Sequence, residues 1–154
     1  MKFAATEEIS APIEQVFADL SNFRRFEREA IKNGIELRRK DNLTQPGPGM
    51  GWEARFIARG KPRELNAEVT EFTDPDKLAF SGKIGGMTGF LVLELQSISE
   101  NLTELNAVLD LKPKSFSARV LIQSMKIARG SIAKRFRKAV RKFSRRLERR
   151  LAKR

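Results

Sequence analysis

Cysteine, histidine and tyrosine are absent from this 154-residue sequence. Without cysteine there is no disulfide bond, thiolate nucleophile or cysteine metal site. Without histidine the chain lacks the commonest general base near neutral pH and the commonest metal ligand, and without tyrosine it lacks another frequent proton donor. The familiar catalytic triads and zinc sites are therefore excluded, and we expect neither a metal nor another cofactor.

Long apolar runs are missing as well. No stretch approaches the roughly 18 apolar residues of a membrane-spanning helix. The apolar stretch in the beginning, "MKFAATEEIS", is too short for a signal peptide, and acidic residues follow it too early. We therefore predict a cytoplasmic protein, with peripheral attachment at the inner membrane surface as an alternative. The length fits one domain over residues 1–154 that buries a core of its own.

Positive charge is abundant but concentrated in one segment. The chain has a formal charge of +12, yet residues 1–113 carry 15 basic and 18 acidic residues, a net charge of −3. From Lys114 onward there are 16 basic residues and one acidic residue, a net charge of +15. Any attraction to nucleic acid, an anionic membrane or an acidic partner should therefore come from the C-terminal segment.

Hydrophobic periodicity predicts an α+β chain. A first strand, "KFAATEEIS", precedes two short helices, "APIEQVFADL" and "SNFRRFEREAIKNG", whose apolar residues recur at helical spacing. The period then changes to two, and turn residues separate six further predicted strands. These strands are "GIELRRK", "GWEARFIAR", "RELNAEVTEF", "KLAFSGK", "TGFLVLELQSI" and "LTELNAVLDLK".

Alternation within the strands predicts an antiparallel sheet with one apolar and one polar face. The apolar face mixes large side chains such as Trp52 and Leu91 with small ones such as Ala54 and Ala67. A sheet lined by alanines does not close tightly on a helix, so a cavity is plausible, with an ordinary packed core as the alternative. Glu7 is the one acid that alternation turns toward this inner face. Either its side chain contacts a polar group of a ligand, or the strand is irregular at this end.

One long helix is predicted from about Ser115 to the C-terminus, because an apolar residue returns every three or four positions throughout. Gly130 allows a break with Ser131 as a new N-cap, but we favour a continuous helix. Such a helix would be about 57 Å long, longer than the rest of the domain. Residues 134–154 are therefore predicted to form a basic outer extension that projects beyond the body.

Two motifs accompany this order of elements: "ISAPIEQVFADLSNF" at the first two helices and "GPGMGW" before the third strand. The residues concerned are Ile9, Ala11, Pro12, Val16, Phe17, Leu20 and Asn22 in the first motif, and Asp110, Lys112 and Pro113 before the long helix. The order of elements and these residues resemble the START-like helix-grip superfamily, also called SRPBCC, with polyketide cyclase/dehydrase-like, lipid-transfer and pollen-allergen-type relatives. The resemblance implies a seven-stranded curved antiparallel sheet wrapped on a long C-terminal helix, with a cavity between them for a hydrophobic ligand.

The resemblance and the face assignment together define a candidate ligand cavity. We predict that the protein binds or carries a hydrophobic small molecule or lipid there. No residue set matches a catalytic constellation, so binding is favoured over catalysis, and a polyketide-cyclase-like enzyme that acts by positioning is an alternative. The candidate cavity residues are Trp52, Ala54, Phe56, Leu65, Ala67, Leu91, Leu93, Leu105, Ala107, Leu109, Met125, Ala128 and Ile132.

The basic end of the helix defines a second candidate surface. An apolar stripe bordered by cations suits an anionic membrane, and cations alone also suit a nucleic-acid backbone or an acidic protein. A third interpretation is a solvated helix whose stripe packs on its own sheet or on a second copy. The candidate residues are Lys134, Arg137, Lys138, Arg141, Lys142, Arg145, Arg146, Arg149 and Arg150.

Overall fold

The order of elements agrees with the sequence prediction. In a computed structural model, residues 1–153 are described. The elements are β1 (Lys2–Ile9), α1 (Ile13–Leu20), α2 (Phe23–Lys32), β2 (Glu36–Arg39), β3 (Gly51–Ala58), β4 (Lys61–Thr73), β5 (Lys77–Ile84), β6 (Met87–Ser99), β7 (Leu102–Pro113), α3 (Phe116–Ile127) and α4 (Arg129–Ala152). No helix within residues 1–153 is long and apolar enough to cross a bilayer.

The seven strands form one antiparallel, curved sheet with the order β1-β7-β6-β5-β4-β3-β2. Turns join β3 to β4, β4 to β5, β5 to β6 and β6 to β7. Strand β7 pairs with β1, where Ala5 lies opposite Ala107. Alternation fixes which side chains face inward, because a strand turns successive side chains to opposite faces. The predicted α+β helix-grip architecture is confirmed.

The most deeply buried part of the core lies where α1 and the end of α4 meet the sheet. In α1, Val16, Phe17 and Leu20 recur at helical spacing and are almost fully buried. Phe17 packs edge-on against Phe72 with ring centroids 5.1 Å apart. The other core members are Ile9, Ala11, Phe23, Met50, Val69, Leu78, Leu95, Leu105, Leu147 and Leu151.

The C-terminal helix is interrupted, so the prediction of one continuous helix is wrong. Helix α3 ends at Ile127 and α4 begins at Arg129, with Ala128 at φ −98° and ψ 18° between them. Gly130 lies just beyond this break, where its flexible backbone weakens the helix. Ser131 does not cap α4, and the cap of α3 is Ser115, whose side chain accepts a hydrogen bond from Ala118 N.

The basic helix α4 packs along β1 and into the core, so residues 134–153 of the predicted extension do not project beyond the body. Leu147 is fully buried and Leu151 nearly so, and Phe136 packs against Phe3 with ring centroids 6.3 Å apart. The apolar stripe of α4 is turned toward the core, and most of the cations of α4 are exposed. The exposed apolar residues of the C-terminal region lie instead in α3, whose Phe116 is 79% exposed.

Candidate ligand-binding cavity

A cavity of about 400 Å³ lies between the inner face of the sheet, α2 and α4. Strands β3 to β6 form its floor, α2 and β2 form one side, and Phe143 closes it from α4. Its walls are almost entirely apolar. The lining residues are Leu20, Phe23, Phe26, Glu27, Ala30, Ile35, Leu37, Trp52, Ala54, Leu65, Ala67, Phe80, Leu91, Leu93 and Phe143.

Six of the predicted cavity residues line this space. They share inward-facing positions on β3, β4 and β6, and cross-strand pairs bring them together: Trp52 lies opposite Ala67, and Ala54 lies opposite Leu65. The small side chains of Ala54 and Ala67 leave the room that the sequence suggested. These six residues are Trp52, Ala54, Leu65, Ala67, Leu91 and Leu93.

The other predicted residues lie elsewhere. On the sheet, Leu105 and Ala107 are buried in packed core, Leu109 is half-buried, and Phe56 borders a separate depression at the β3–β4 hairpin. None of these four residues is among those that line the cavity. The sheet continues beyond the cavity at both ends, so an inward position alone does not place a residue in it.

On the helix, Met125, Ala128 and Ile132 do not line the cavity, which corrects the prediction for this element. Ala128 is exposed at the break between α3 and α4, and Met125 and Ile132 are half-buried. Because the helix is interrupted there, the part that crosses the cavity lies further along α4, at Phe143.

The predicted cavity residues did not include the aromatic wall that α2 supplies, although the sequence placed Phe23 and Phe26 on the inner side of this helix. Phe23 contacts Trp52 and Phe80 edge-on, with ring centroids 5.4 Å and 6.1 Å apart. Phe26 stacks on Phe143 at 6.2 Å with an interplanar angle of 16°. The available signal was the spacing of Phe23 and Phe26, which puts both rings on one side of α2.

Glu27 supplies the one charged side chain among the described residues that line the cavity. Its Oε2 accepts a hydrogen bond of 2.9 Å from Trp52 Nε1 and lies 3.8 Å from a nitrogen of Arg39. Glu27 and Leu37 also border a shallow surface depression. Glu27 therefore marks the place where the cavity meets the surface.

Asp41 anchors the polar rim beside Glu27. Arg39 donates two hydrogen bonds to the Asp41 carboxylate, which also accepts from Leu43 N at 2.9 Å and Gly51 N at 2.8 Å. These bonds, the Arg39 pair first, hold the pKa of Asp41 far below its usual range. The bond from Leu43 N is an Asx turn, a motif that the "DNL" sequence carries. This network orients Arg39 toward both Trp52 and Glu27.

Solved structures resemble the whole chain. A protein from Thermus thermophilus aligns with 96% of this chain and 97% of its own at 15% identity and a TM-score of 0.66. The Zhui aromatase/cyclase from Streptomyces sp. R1128 aligns with 98% and 95% at 14% identity and a TM-score of 0.66. The protein has the helix-grip fold. The predicted resemblance is confirmed at this level.

A third solved structure with the helix-grip fold has a different role. An HSP90 activator from Plasmodium falciparum aligns with 75% of this chain and 76% of its own, at 23% identity and a TM-score of 0.52. Neither family sequence models nor curated protein sequences match this chain. The helix-grip fold hosts several functions, so the activity has to be argued from the site.

A buried charge cluster fixes the helices of this helix-grip chain relative to one another. Asp19 in α1 is fully buried and accepts hydrogen bonds from Arg25 in α2 at 2.9 Å and from Arg150 in α4 at 2.8 and 3.2 Å. Burial by itself raises the pKa of Asp19, but hydrogen bonds from Arg150 and Arg25 outweigh burial and hold the pKa below its ordinary value. The cluster joins α1, α2 and α4 around one carboxylate.

Three of the nine predicted anion-binding cations form ion pairs within the chain. Arg150 binds Asp19, and Arg141 and Arg145 lie 3.6 Å and 3.5 Å from Glu7. Glu7 is thus turned toward α4, and it does not line the cavity.

The other six predicted cations are exposed. Among residues 1–153, no acidic side chain lies within ion-pair distance of them. They are Lys134, Arg137, Lys138, Lys142, Arg146 and Arg149. Within residues 1–153, no group of three or more aspartate or glutamate side chains is placed to hold a metal ion.

Proposed function

We propose that this protein binds a hydrophobic small molecule or lipid in the cavity between the sheet and α4. The observation that carries the proposal is an almost wholly apolar space of about 400 Å³, within the roughly 300–1,000 Å³ typical of small-molecule sites. Burial of apolar ligand surface against such walls is the main source of affinity. A fold whose relatives include an aromatase/cyclase is consistent with this function.

The lining favours a ligand with a planar or ring-containing apolar body. Phe23, Phe26 and Phe143 surround the space with flat faces and edges, and aromatic groups pack well in offset or edge-on arrangements with such rings. The small side chains of Ala54 and Ala67 leave room between the larger apolar side chains of the floor.

Glu27 favours a ligand whose polar end donates a hydrogen bond. Its Oε2 is engaged by Trp52, while Oε1 accepts no hydrogen bond from the described residues and can accept one from a hydroxyl or amide group. A ligand carboxylate at this point would face a like charge, which disfavours it. We therefore propose neutral ligands with a donor group in preference to fatty acids.

A cyclase-like enzyme is the alternative for the same cavity. Glu27 is the one titratable group in the described lining, so such an enzyme would combine positioning of the substrate with one carboxylate.

A second element of the proposal is an anionic partner for α4. Its support is the set of six exposed cations that have no acidic side chain within ion-pair distance in the described chain. A membrane, a nucleic acid and an acidic protein are the candidate partners.

Trp52 makes the cavity proposal directly testable, because it is the one tryptophan of the chain and lies in the cavity wall. We expect the neutral fluorophore N-phenyl-1-naphthylamine to quench Trp52 by energy transfer with saturable binding. Ala67→Leu fills part of the space and should weaken binding at least tenfold, whereas Ala139→Leu adds the same side chain on the exposed side of α4 and should leave it unchanged.

Equal affinity of wild type and Ala67→Leu would contradict the cavity proposal. Glu27→Gln separates the ligand classes, because it should increase the affinity of a fatty acid more than that of the corresponding alcohol. Native mass spectrometry of freshly purified protein gives a second test. We expect a co-purifying apolar molecule that Ala67→Leu reduces.

A further inference from the structure

Helix α3 has an apolar stripe on the side that faces away from the sheet. Phe116, Val120 and Ile127 recur at spacings of four and seven residues and share one side of the helix. Phe116 is 79% and Ile127 92% exposed. On the opposite side, Ala118 and Ile122 are buried. Helix α3 is therefore apolar on both sides, and the described chain covers one of them.

Two hairpins bring more exposed apolar side chains to the same end of the sheet. The β5–β6 turn follows Ile84, whose partner Met87 pairs in turn with Pro113 just before α3. The β3–β4 turn follows Ala58, next to Ile57, which is 77% exposed. We call this the hairpin–α3 end. It holds six of the ten most exposed large apolar side chains in the described structure: Ile57, Ile84, Phe116, Val120, Leu121 and Ile127.

Helix α3 is held in a defined place at this end. Lys114 N donates a hydrogen bond of 2.6 Å to Gly86 O in the β5–β6 turn. A Cβ atom at Gly86 would lie 1.9 Å from Ser115 Oγ, so glycine is required for this close approach. Because the start of α3 is both capped and attached to the hairpin, the exposed stripe is a stable surface feature.

Exposed cations lie beside the exposed stripe and on the hairpins at the same end of the sheet. Arg119 and Lys126 lie beside the stripe on α3, and further basic side chains follow on the flanking turns. No acidic side chain lies within ion-pair distance of any of them in the part of the chain that the structure describes. The exposed cations of this end are Arg59, Lys61, Arg63, Lys83, Lys114, Arg119, Lys126 and Arg129.

We propose that the hairpin–α3 end docks on an anionic lipid membrane, with the outward stripe of α3 lying in the headgroup region. An interfacial helix combines an apolar side that enters the boundary with cations that meet lipid phosphates, and long basic side chains can bury their stems while the charge stays in water. This proposal goes beyond the proposed function, because it places the contact on α3 and the hairpins and not on the exposed cations of α4. It is independent of the cavity ligand.

A second copy of the chain is a poorer occupant of this surface. A helix face about 18 Å long and about 10 Å wide is far smaller than the roughly 800 Å² that each partner contributes to a stable interface. Two copies would also bring the cations around α3 together. A nucleic-acid backbone would use the cations but leave the apolar stripe in water. A bilayer with anionic lipids satisfies both features.

Vesicle flotation tests the docking surface. We expect binding to vesicles of phosphatidylcholine with phosphatidylserine, and much weaker binding to phosphatidylcholine alone. Phe116→Ser with Ile127→Ser should weaken binding to the anionic vesicles at least tenfold without lowering the melting temperature. Ile98→Ser, which removes an exposed isoleucine at the opposite end of the sheet, is the matched control and should have no effect.

Three results would overturn the proposal. One is equal binding of wild type and the Phe116/Ile127 double variant. Another is loss of vesicle binding on Lys138→Glu with Lys142→Glu while the double variant still binds, which would keep the anionic partner but move the contact to α4. The third is absence of vesicle binding together with salt-sensitive retention on duplex DNA or on an acidic protein, which would exclude a membrane.

A position-specific readout separates docking from the cavity. In a Trp52→Phe background, Phe116→Trp should be quenched by lipids brominated on the acyl chains, and Ile98→Trp should not. Quenching at both positions or at neither would overturn the assigned surface. The naphthylamine titration at Trp52 is measured without vesicles, so failure of the cavity proposal and failure of docking give different results.

Discussion

Helices α3 and α4 have nearly opposite relations between sequence and burial. Helix α3 has a largely apolar sequence, yet Phe116, Val120, Leu121 and Ile127 are exposed. Helix α4 is dominated by lysine and arginine, yet Leu147 and Leu151 are buried in the core. Burial in this molecule follows the phase of the apolar residues and the surface opposite them, and not the overall apolar content of a helix.

The largest expected difference between the two helices comes from the same substitution in each. Leu147→Ala removes a fully buried side chain and should lower the free energy of unfolding by about 3–4 kcal/mol, because it leaves a cavity in the packed core. Leu121→Ala in α3 should change it by less than about 1 kcal/mol, because that side chain is half exposed. Urea unfolding followed by circular dichroism measures both, and similar losses would refute the contrast.

A smaller effect is expected from the charge cluster that holds α4 in place. Asp19→Asn leaves Arg25 and Arg150 without their buried carboxylate and should lower the free energy of unfolding at neutral pH by about 2–3 kcal/mol. This is below the range for fully buried pairs, because both arginines are partly exposed. The control is Arg149→Ala, because Arg149 is exposed and precedes Arg150. This substitution should change the free energy of unfolding by less than about 0.5 kcal/mol.

The pH dependence of the Asp19→Asn effect identifies its cause. The pKa of Asp19 is lower in the folded state than the unfolded value of about 3.9. The stability that its charge provides is therefore fully present above about pH 4–5 and is lost as the pH falls through the folded-state pKa. We expect the difference between wild type and Asp19→Asn to shrink over that acid range. A constant difference would assign the effect to packing instead of charge.

The smallest expected effect concerns the start of α3. Ser115→Ala removes the side-chain cap and should destabilise the helix by about 1 kcal/mol. Because α3 has little buried surface, we expect the loss as faster amide exchange confined to α3, with exchange in α4 unchanged. Ser124→Ala is the control, since that hydroxyl bonds only to Val120 O in the same helix. An equal effect of both variants would argue against capping.

The architecture was predictable because local signals agreed with one another. Strand alternation, turn residues and the apolar spacing of α1 all led to the same arrangement, as in sequences whose local and global preferences are consistent. The floor of the cavity followed from the same alternation, as Ala54 and Ala67 show. These features depend on the spacing of apolar residues alone, which can be read from a single sequence.

The features that were missed depend on which elements meet in space. The apolar stripe runs in phase across Gly130, so the break at Ala128 left no signal in the periodicity. Nothing in the sequence distinguishes Glu27 from other polar helix residues, because its hydrogen bond with Trp52 forms only in the folded chain. Asp19 lies next to Leu20 on a short helix, and its partner Arg150 is remote in sequence. Contacts of this kind follow from packing and not from spacing.

The hydrogen bonds between Asp19 and Arg150 have a consequence for folding. They join residues that are 131 positions apart, and Leu147 and Leu151 belong to the same core as Ile9 and Val16. Contacts of such long range slow folding, because the entropy of closing the chain is lost before they form. During synthesis, the apolar surfaces of the sheet and α1 therefore remain uncovered until α4 has left the ribosome. Chaperone binding and aggregation should be most frequent in that interval.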